Sequence, residues 1–216
     1  MPNNNLSALL IGPTDKTKIF RFGKIDRESY KQYKEEVGKV LAANLSTVYL
    51  IPDEGIPLDF AKSYKQFGGG EVVGALPKGG CDILEKYFQF CDRTEEVDGG
   101  WTVLNTCLSL RTGLMIGFGL SPGTLVEIAY SKYHKKYLGR NIPVLLDERT
   151  ISRRLNSEIE DEVDLRYFDS AEGLNQFLKK LKGEWVQTRF LNKEILNLIW
   201  TKKYLLFYAM EKNFFC

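Results

Sequence analysis

Directly after the apolar run Leu114 to Phe118 the chain reads Gly119, Leu120, Ser121, Pro122, Gly123, Thr124, Leu125, Val126, Glu127. Ser121 is a residue type that caps a helix, and Pro122 suits the first helical position, where no amide hydrogen is needed. Gly123 allows a ligand to come close to the backbone. The open amides of a first turn and the positive end of the helix dipole attract an anion such as phosphate, and Ser121 and Thr124 add hydroxyls. The same residues also suit a well-capped helix that simply follows a buried strand, and a short Gly, Ser, Pro pattern is a weak signal alone. Glu127 has two readings as well. A carboxylate near a helix start favours the dipole, and a carboxylate beside a bound ligand can take part in acid, base or electrostatic chemistry.

Other chemistry-bearing residues are sparse. Cys81, Cys91, Cys107 and Cys216 show no CxxC spacing and His134 is the only histidine, so no zinc site and no other metal ligand is expected. Reduced, packed thiols are the expectation for the cysteines, and a surface place on a helix is the expectation for His134. Asp92, Glu95, Glu96 and Asp98 fall in a stretch, 92–100, that reads as a loop; solvated acids are preferred there over a Mg²⁺ site. Thirty Lys and Arg against 28 Asp and Glu leave a formal charge of +2, short of the basic excess that nucleic-acid binding shows. No nucleic-acid partner is expected. The longest uncharged stretches, such as Thr112 to Leu125, are broken by Gly, Ser and Pro and fall short of the roughly 18 apolar residues that cross a bilayer. The start of the chain lacks the basic residues and apolar length of a secretory signal, which predicts a cytoplasmic protein.

The elements that would position the Gly119 to Glu127 segment follow from hydrophobic periodicity. Leu6 to Ile11 reads as a first strand ending at Gly12, Pro13 and Thr14. Tyr30, Tyr33, Val37, Val40, Leu41 and Leu45 recur at helical spacing behind Asp26, a capping residue. Thr47 to Ile51 reads as a strand, Leu58 to Phe67 as a helix and Glu71 to Leu76 as a strand. Cys81 to Tyr87 reads as a short helix and Phe88 to Cys91 as a strand. Trp101 to Leu110 reads as a helix and Leu114 to Phe118 as a buried strand. Pro122 to Tyr137 reads as one helix with Leu125, Ile128, Ala129 and Tyr133 inward. Ile142 to Leu146 and Asp164 to Phe168 complete the strands, before a helix from Ala171 to Leu181. Strands apolar on both faces, alternating with helices, predict a doubly wound α/β domain with a mainly parallel sheet and helices on both faces. Ligands in such sheets bind beyond the carboxyl ends of the strands, where strand order reverses. The strands starting near Leu6 and Leu114 are therefore expected to be neighbours, with the loops at Gly12 to Thr14, Pro52 to Pro57 and Gly119 to Thr124 converging.

At these residues the chain resembles the Rossmann-like superfamily that includes the lonely guy phosphoribohydrolases, once called lysine decarboxylases, and the molybdenum cofactor carrier proteins. The resemblance spans about residues 6–181. It rests on Gly12 after strand one, on Val48 to Ala61 (VYLIPDEGIPLDFA), on the stretch 68–77 (GGGEVVGALP), and on Gly123, Thr124 and Glu127 as the GTxxE ending of a PGGxGTxxE motif. It implies a phosphate-bearing ligand, a nucleotide or a pterin-type cofactor, and a homodimer. Two departures stand out. Gly119, Leu120 and Ser121 replace the PGG, so Leu120 carries a side chain where the family has glycine. Leu104 occupies the position of an arginine that works with the motif glutamate in the hydrolases, with Asn105 beside it as in an uncharacterised branch. Arg111, nearby, reads as a helix-end residue favouring the dipole.

Gly12, Thr14, Gly55, Gly119, Ser121, Gly123 and Thr124 are thus the expected ligand-lining residues within a domain of residues 1–182. Two functions follow: a carrier or sensor that binds without turnover, or a hydrolase that splits a nucleoside 5′-monophosphate at its N-glycosidic bond with Glu127 as the key carboxylate. Residues 183–216 lie outside the resemblance. Leu191, Ile195, Leu198, Ile199, Leu205, Leu206 and Ala209 follow helical spacing there, which predicts an amphipathic helix packed on the domain or on a second subunit, with membrane contact the lesser alternative.

Overall fold

The computed structural model describes residues 6–79, 86–139 and 141–188. The chain divides into two compact units, 1–179 and 180–216. The short helix expected at Cys81 to Tyr87 and the amphipathic helix expected in 183–216 lie largely outside the described residues.

Seven parallel strands form one sheet: β1 (Ser7–Ile11), β2 (Thr47–Leu50), β3 (Glu71–Pro77), β4 (Arg93–Val97), β5 (Leu114–Gly117), β6 (Val144–Asp147) and β7 (Leu165–Phe168). Their spatial order is β4-β3-β2-β1-β5-β6-β7. The order reverses between β1 and β5, where Ala8 pairs with Leu114 and Ile11 with Gly117. The Rossmann-like α/β fold is therefore present, with the two expected strands side by side. Each strand is short, and the central ones are buried on both faces, as parallel strands covered by helices must be.

The helices are α1 (Thr17–Phe22), α2 (Arg27–Asn44), α3 (Ile56–Gln66), α4 (Gly100–Cys107), α5 (Pro122–Tyr130), α6 (His134–Leu138), α7 (Ser157–Glu160) and α8 (Ala171–Thr188). Asp26 caps α2 by accepting the Ser29 amide at 2.8 Å. Tyr30, Tyr33, Val37 and Leu41 turn inward from it, as the spacing predicts. On one side of the sheet Leu9, Ile11, Met115, Val144 and Leu146 form a core with Leu104, Leu108 and Ile128. On the other, the aromatic rings follow one another: Phe60 of α3 stacks on Phe118 with centroids 3.7 Å apart. Tyr30, Tyr33 and Phe168 meet these two rings edge-on.

Three expectations are corrected here. Phe88 to Cys91 is not a strand; the fourth strand is β4, inside the stretch 92–100 that reads as a loop. Its sequence, Arg-Thr-Glu-Glu-Val, is polar because it is an edge strand, and its charges are paired: Arg93 with Glu71 at 2.6 Å and with Glu95, and Glu95 with Arg111. Charged side chains of this kind also protect a sheet edge from pairing with other chains. Arg111 thus sits in an ion pair rather than only at a helix end. Secondly, the helix expected over Pro122 to Tyr137 is broken by a 3₁₀ turn at Ser131–Tyr133. Its buried face carries Thr124, Glu127, Ile128, Ser131 and His134, while Leu125, Ala129 and Tyr133 point outward. Polar residues inside and apolar ones outside invert the usual amphipathic rule, so periodicity selected the wrong face. Thirdly, His134 is only 1% exposed and bonds Ser109 Oγ at 2.8 Å through Nε2.

The ring stack ties α3 to the chain leaving β5, and α3 begins at the candidate site. Phe60→Ala is expected to cost about 3–5 kcal/mol of folding stability, the usual range for emptying a buried aromatic site. Urea unfolding would measure it, and a loss below about 1 kcal/mol would contradict the stack's role.

Candidate functional site

The site is built on close backbone approach at the end of β1 and β5. A Cβ on Gly12 would lie 2.7 Å from the Phe118 carbonyl oxygen, so only glycine lets these two chains leave the sheet together. Gly119 has φ +93°, and a Cβ there would meet Ile19 at 2.8 Å and Pro13 at 3.0 Å. That left-handed turn swings the chain from β5 directly into the start of α5.

The loop after β2 closes onto the loop after β1. The Thr14 hydroxyl donates to Asp53 Oδ2 at 2.6 Å, the Gly55 amide donates to Asp53 Oδ1 at 2.8 Å, and the Ile56 amide donates to the Pro13 carbonyl at 3.0 Å. Gly55 is buried between these groups, with Pro13 O 2.8 Å from where a Cβ would sit. Its smallness joins the two loops. Lys16 extends the tether by pairing with Asp59 of α3 at 2.7 Å.

At the start of α5, Ser121 caps the helix: its Oγ accepts the Thr124 amide at 3.2 Å and lies 2.9 Å from the Thr124 hydroxyl. Pro122 has no amide hydrogen, and the Leu125 amide donates to the Ser121 carbonyl. The Gly123 amide is left without a partner among the described residues. A Cβ on Gly123 would meet nothing nearer than Ser121 Oγ at 3.8 Å, so the space beside this amide is open. The open Gly123 amide and the helix dipole suit an anion, while the Ser121 and Thr124 hydroxyls bond each other and Thr124 is buried.

Glu127, one turn further along, faces the core side of α5. It is 6% exposed and forms no hydrogen bond or ion pair among the described residues. Burial pushes its carboxyl up to about 8, and the negative charge of Asp53 adds to the shift. A carboxyl in this state carries its proton at neutral pH and can donate a hydrogen bond. Leu104, at the position where the resembling hydrolases have arginine, is fully buried in the apolar cluster with Leu9, Ile11 and Ile128. It supplies no cation to Glu127.

The structure therefore brings Gly12, Thr14, Gly55, Gly119, Ser121, Gly123 and Thr124 to one edge of the sheet, in two kinds of place. Gly12, Gly55 and Gly119 face protein atoms and, with Thr14 bonded to Asp53, allow the loops to close; Ser121, Gly123 and Thr124 make the start of α5. Asp53 was missed, although its place in the Pro-Asp-Glu-Gly turn directly after β2 was the available signal. The segment holding α1 was also missed, and Asp15, which accepts both the amide and hydroxyl of Thr17, marks its start. Among the acids of 92–98, Asp92 holds the Val72 amide and Lys65, and Asp98 pairs with Lys78. Among the described residues no group of three or more His, Cys, Asp or Glu gathers to hold a metal. Cys91 is a free thiol pushed up to about 11 by burial.

No protein-family model matches this chain, and no curated protein sequence matches it. Solved structures do match. The molybdenum cofactor carrier protein of Chlamydomonas reinhardtii is 20% identical and aligns with a TM-score of 0.60 over 83% of this chain and 99% of its own. The molybdenum cofactor binding protein of the phototrophic bacterium Rippkaea orientalis is 16% identical, with a TM-score of 0.56 over 82% of this chain and 97% of its own. This chain has the fold of the molybdenum cofactor carrier proteins. At such identities the likeness concerns the fold.

Glu127 also sets a pH dependence. Its folded-state pKa lies above the ordinary value of 4.5, so the folded protein keeps a proton that the unfolded chain releases. Stability is fully present below about pH 4.5 and is lost as pH rises through about 8. Asp147, buried at the end of β6 and pushed up to about 7, acts in the same direction. Glu127→Gln removes the first contribution. Relative to wild type the variant is expected to gain stability between pH 5 and pH 8.5, with an upper bound of about 5 kcal/mol. Denaturant unfolding at the two pH values would show it; an equal difference at both would mean Glu127 is not held protonated.

Proposed function

We propose that the crevice between the loops after β1, β2 and β5 binds a phosphate-bearing small molecule, a pterin-type cofactor or a nucleotide, and that the protein carries or senses this ligand without turning it over. The observation that carries this reading is the pairing of an open Gly123 amide at a helix start with a buried, unpartnered carboxyl at Glu127. A protonated Glu127 has a hydrogen to donate, and a ligand oxygen would accept it. The phosphate would rest on the Gly123 amide with the Ser121 and Thr124 hydroxyls beside it, inside the domain formed by residues 1–182. The carrier and binding proteins whose fold this chain has support a pterin-type ligand over other classes.

Hydrolysis of a nucleoside 5′-monophosphate is the second reading, and one observation favours it: a carboxyl still protonated at neutral pH can act as an acid toward a leaving base. Cleavage of an N-glycosidic bond also needs a negative charge to stabilise the oxocarbenium-like centre, and without a cation at position 104 to keep it ionised Glu127 provides none. Losing one such group costs about 3 kcal/mol of transition-state stabilisation. Binding without turnover is the preferred function.

We also propose that the protein is a homodimer. Trp101 of α4 and Leu125, Val126 and Tyr130 of α5 are exposed together with Tyr133. The outward face of α5 carries no charged side chain, so a second copy can cover it without burying an unpaired charge.

Gly123→Ala separates ligand binding from folding. The added methyl enters open space and raises helix propensity, so the variant is expected to be as stable as wild type or up to about 1 kcal/mol more so. Its affinity for ribose 5-phosphate is expected to fall tenfold or more, measured by calorimetry. Unchanged affinity would remove phosphate from the cradle, and wild-type turnover of nucleoside 5′-monophosphates near 1 per second that Glu127→Ala abolishes would replace the carrier by the hydrolase. For the dimer, Val126→Lys is expected to halve the mass seen by light scattering; a wild-type mass equal to that of one chain would refute it.

A further inference from the structure

A second concavity adjoins the start of α5. Lys18, Ile19 and Phe22 of α1, Leu120, and Thr150, Ile151 and Ser152 after β6 line a cavity of about 190 Å³. Ile19 and Ile151 make a dry floor, both nearly fully buried. Phe22 stands at the rim with half its surface (52%) exposed, and the Arg21 guanidinium lies 5.0 Å from its ring centre. Lys18 is half-buried and forms no salt bridge among the described residues, although its charge acts on the nearby Asp15 carboxylate. The Thr150 hydroxyl is already spent on the Asp147 carbonyl, which leaves Lys18 as the charged group of the wall.

Size, shape and position together define an occupant. Drug-sized ligands fill roughly 300–1,000 Å³, so this volume holds one ring system and not a whole nucleotide. An exposed aromatic ring and a leucine side chain favour a flat π-face, which offset stacking stabilises. The Lys18 ammonium beside them favours a carbonyl or anionic ring edge. Leu120 is three residues from Gly123, a backbone span of at most about 11 Å. A ring bearing a short phosphorylated side chain covers such a span.

We propose that this cavity seats the ring end of the ligand: a planar heteroaromatic ring lies between Phe22 and Leu120, turns a carbonyl or anionic edge to Lys18, and extends a phosphorylated side chain over Leu120 to the cradle. Leu120 then determines specificity, since its side chain stands where the ring and the phosphate parts of the ligand join. The phosphate end rests on the function proposed above; the ring end rests on the cavity itself.

Three probes titrated into the full chain separate the two ends: 6-hydroxymethylpterin, its phosphate monoester, and ribose 5-phosphate. Phe22→Ala and Lys18→Gln, both at exposed or half-buried positions, are expected to weaken both pterins tenfold and threefold, respectively, and to leave ribose 5-phosphate within twofold. Leu120→Gly is expected to change the ratio of pterin to ribose 5-phosphate affinity at least fivefold. Pterin binding that Phe22→Ala leaves within twofold, or an equal loss for ribose 5-phosphate, overturns the ring seat. Wild-type protein that binds neither pterin overturns it as well. If 6-hydroxymethylpterin binds in a Phe22-dependent manner while ribose 5-phosphate does not bind, the ring seat stands and the phosphate cradle falls.

Discussion

The approach of two backbones at the reversal point of the sheet governs everything built around it. Gly12 and Phe118 leave adjacent strands so closely that a single methyl group on Gly12 would collide with the Phe118 carbonyl. The Phe118 amide donates to the Ile11 carbonyl at 2.9 Å, so the strands stay paired up to the point of divergence. The loop after β1 must then bend toward β2, and the chain after β5 must turn at Gly119 into α5. Each later contact inherits this geometry. Asp53 can hold Thr14 and Gly55 only because the two loops are already within hydrogen-bond reach, and Phe60 can stack on Phe118 only because α3 starts from that tether. A flexible crevice would have to pay ordering entropy on binding; these glycines and the tether place that cost in folding instead.

Electrostatics makes the crevice unusual. A helix start attracts anions, yet two carboxyls, Asp53 and Glu127, flank this one. Two negative charges beside a phosphate would cancel the helix dipole, whose effect is of order 1 kcal/mol. Burial resolves the conflict by keeping Glu127 protonated, which converts a repulsive group into a donor. Asp53 is held by the Thr14 hydroxyl and the Gly55 amide, so its charge is directed into the protein's own loop. An anion bound there, as proposed, would not need a lysine or arginine in the floor.

Much of this was legible in the sequence, for a physical reason. Fully buried parallel strands are written as uninterrupted apolar runs, so β1, β2, β3, β5 and β6 could be read to within a residue or two, and the reversal point followed from their order. Glycines and a Ser-Pro pair after strands are equally direct, because sterics leave few alternatives. What failed had a different cause. β4 has a polar sequence because its stability comes from Arg93, Glu71, Glu95 and Arg111 across an edge, and such pairing is long-range. The inward face of α5 was misjudged because Thr124, Glu127, Ser131 and His134 are buried against the usual rule, and Leu125, Val126 and Tyr130 are left outside. This helix breaks the rule on both faces at once: polar side chains are buried on the inner face, and the outer face exposes an apolar surface.

Leu104 shows how little separates two chemistries on such a scaffold. A cation at that position would lie beside a carboxyl and lower its pKa, keeping it ionised and ready to stabilise positive charge in a substrate. Leucine instead joins the apolar core and supplies no charge, and burial with the charge of Asp53 holds the Glu127 carboxyl above its ordinary value. A neutral carboxyl binds through one donated hydrogen bond and exerts little pull on an oxocarbenium centre. On the proposed reading, the helix start would hold the ligand's anionic end while the charge that lowers the barrier to cleavage is missing.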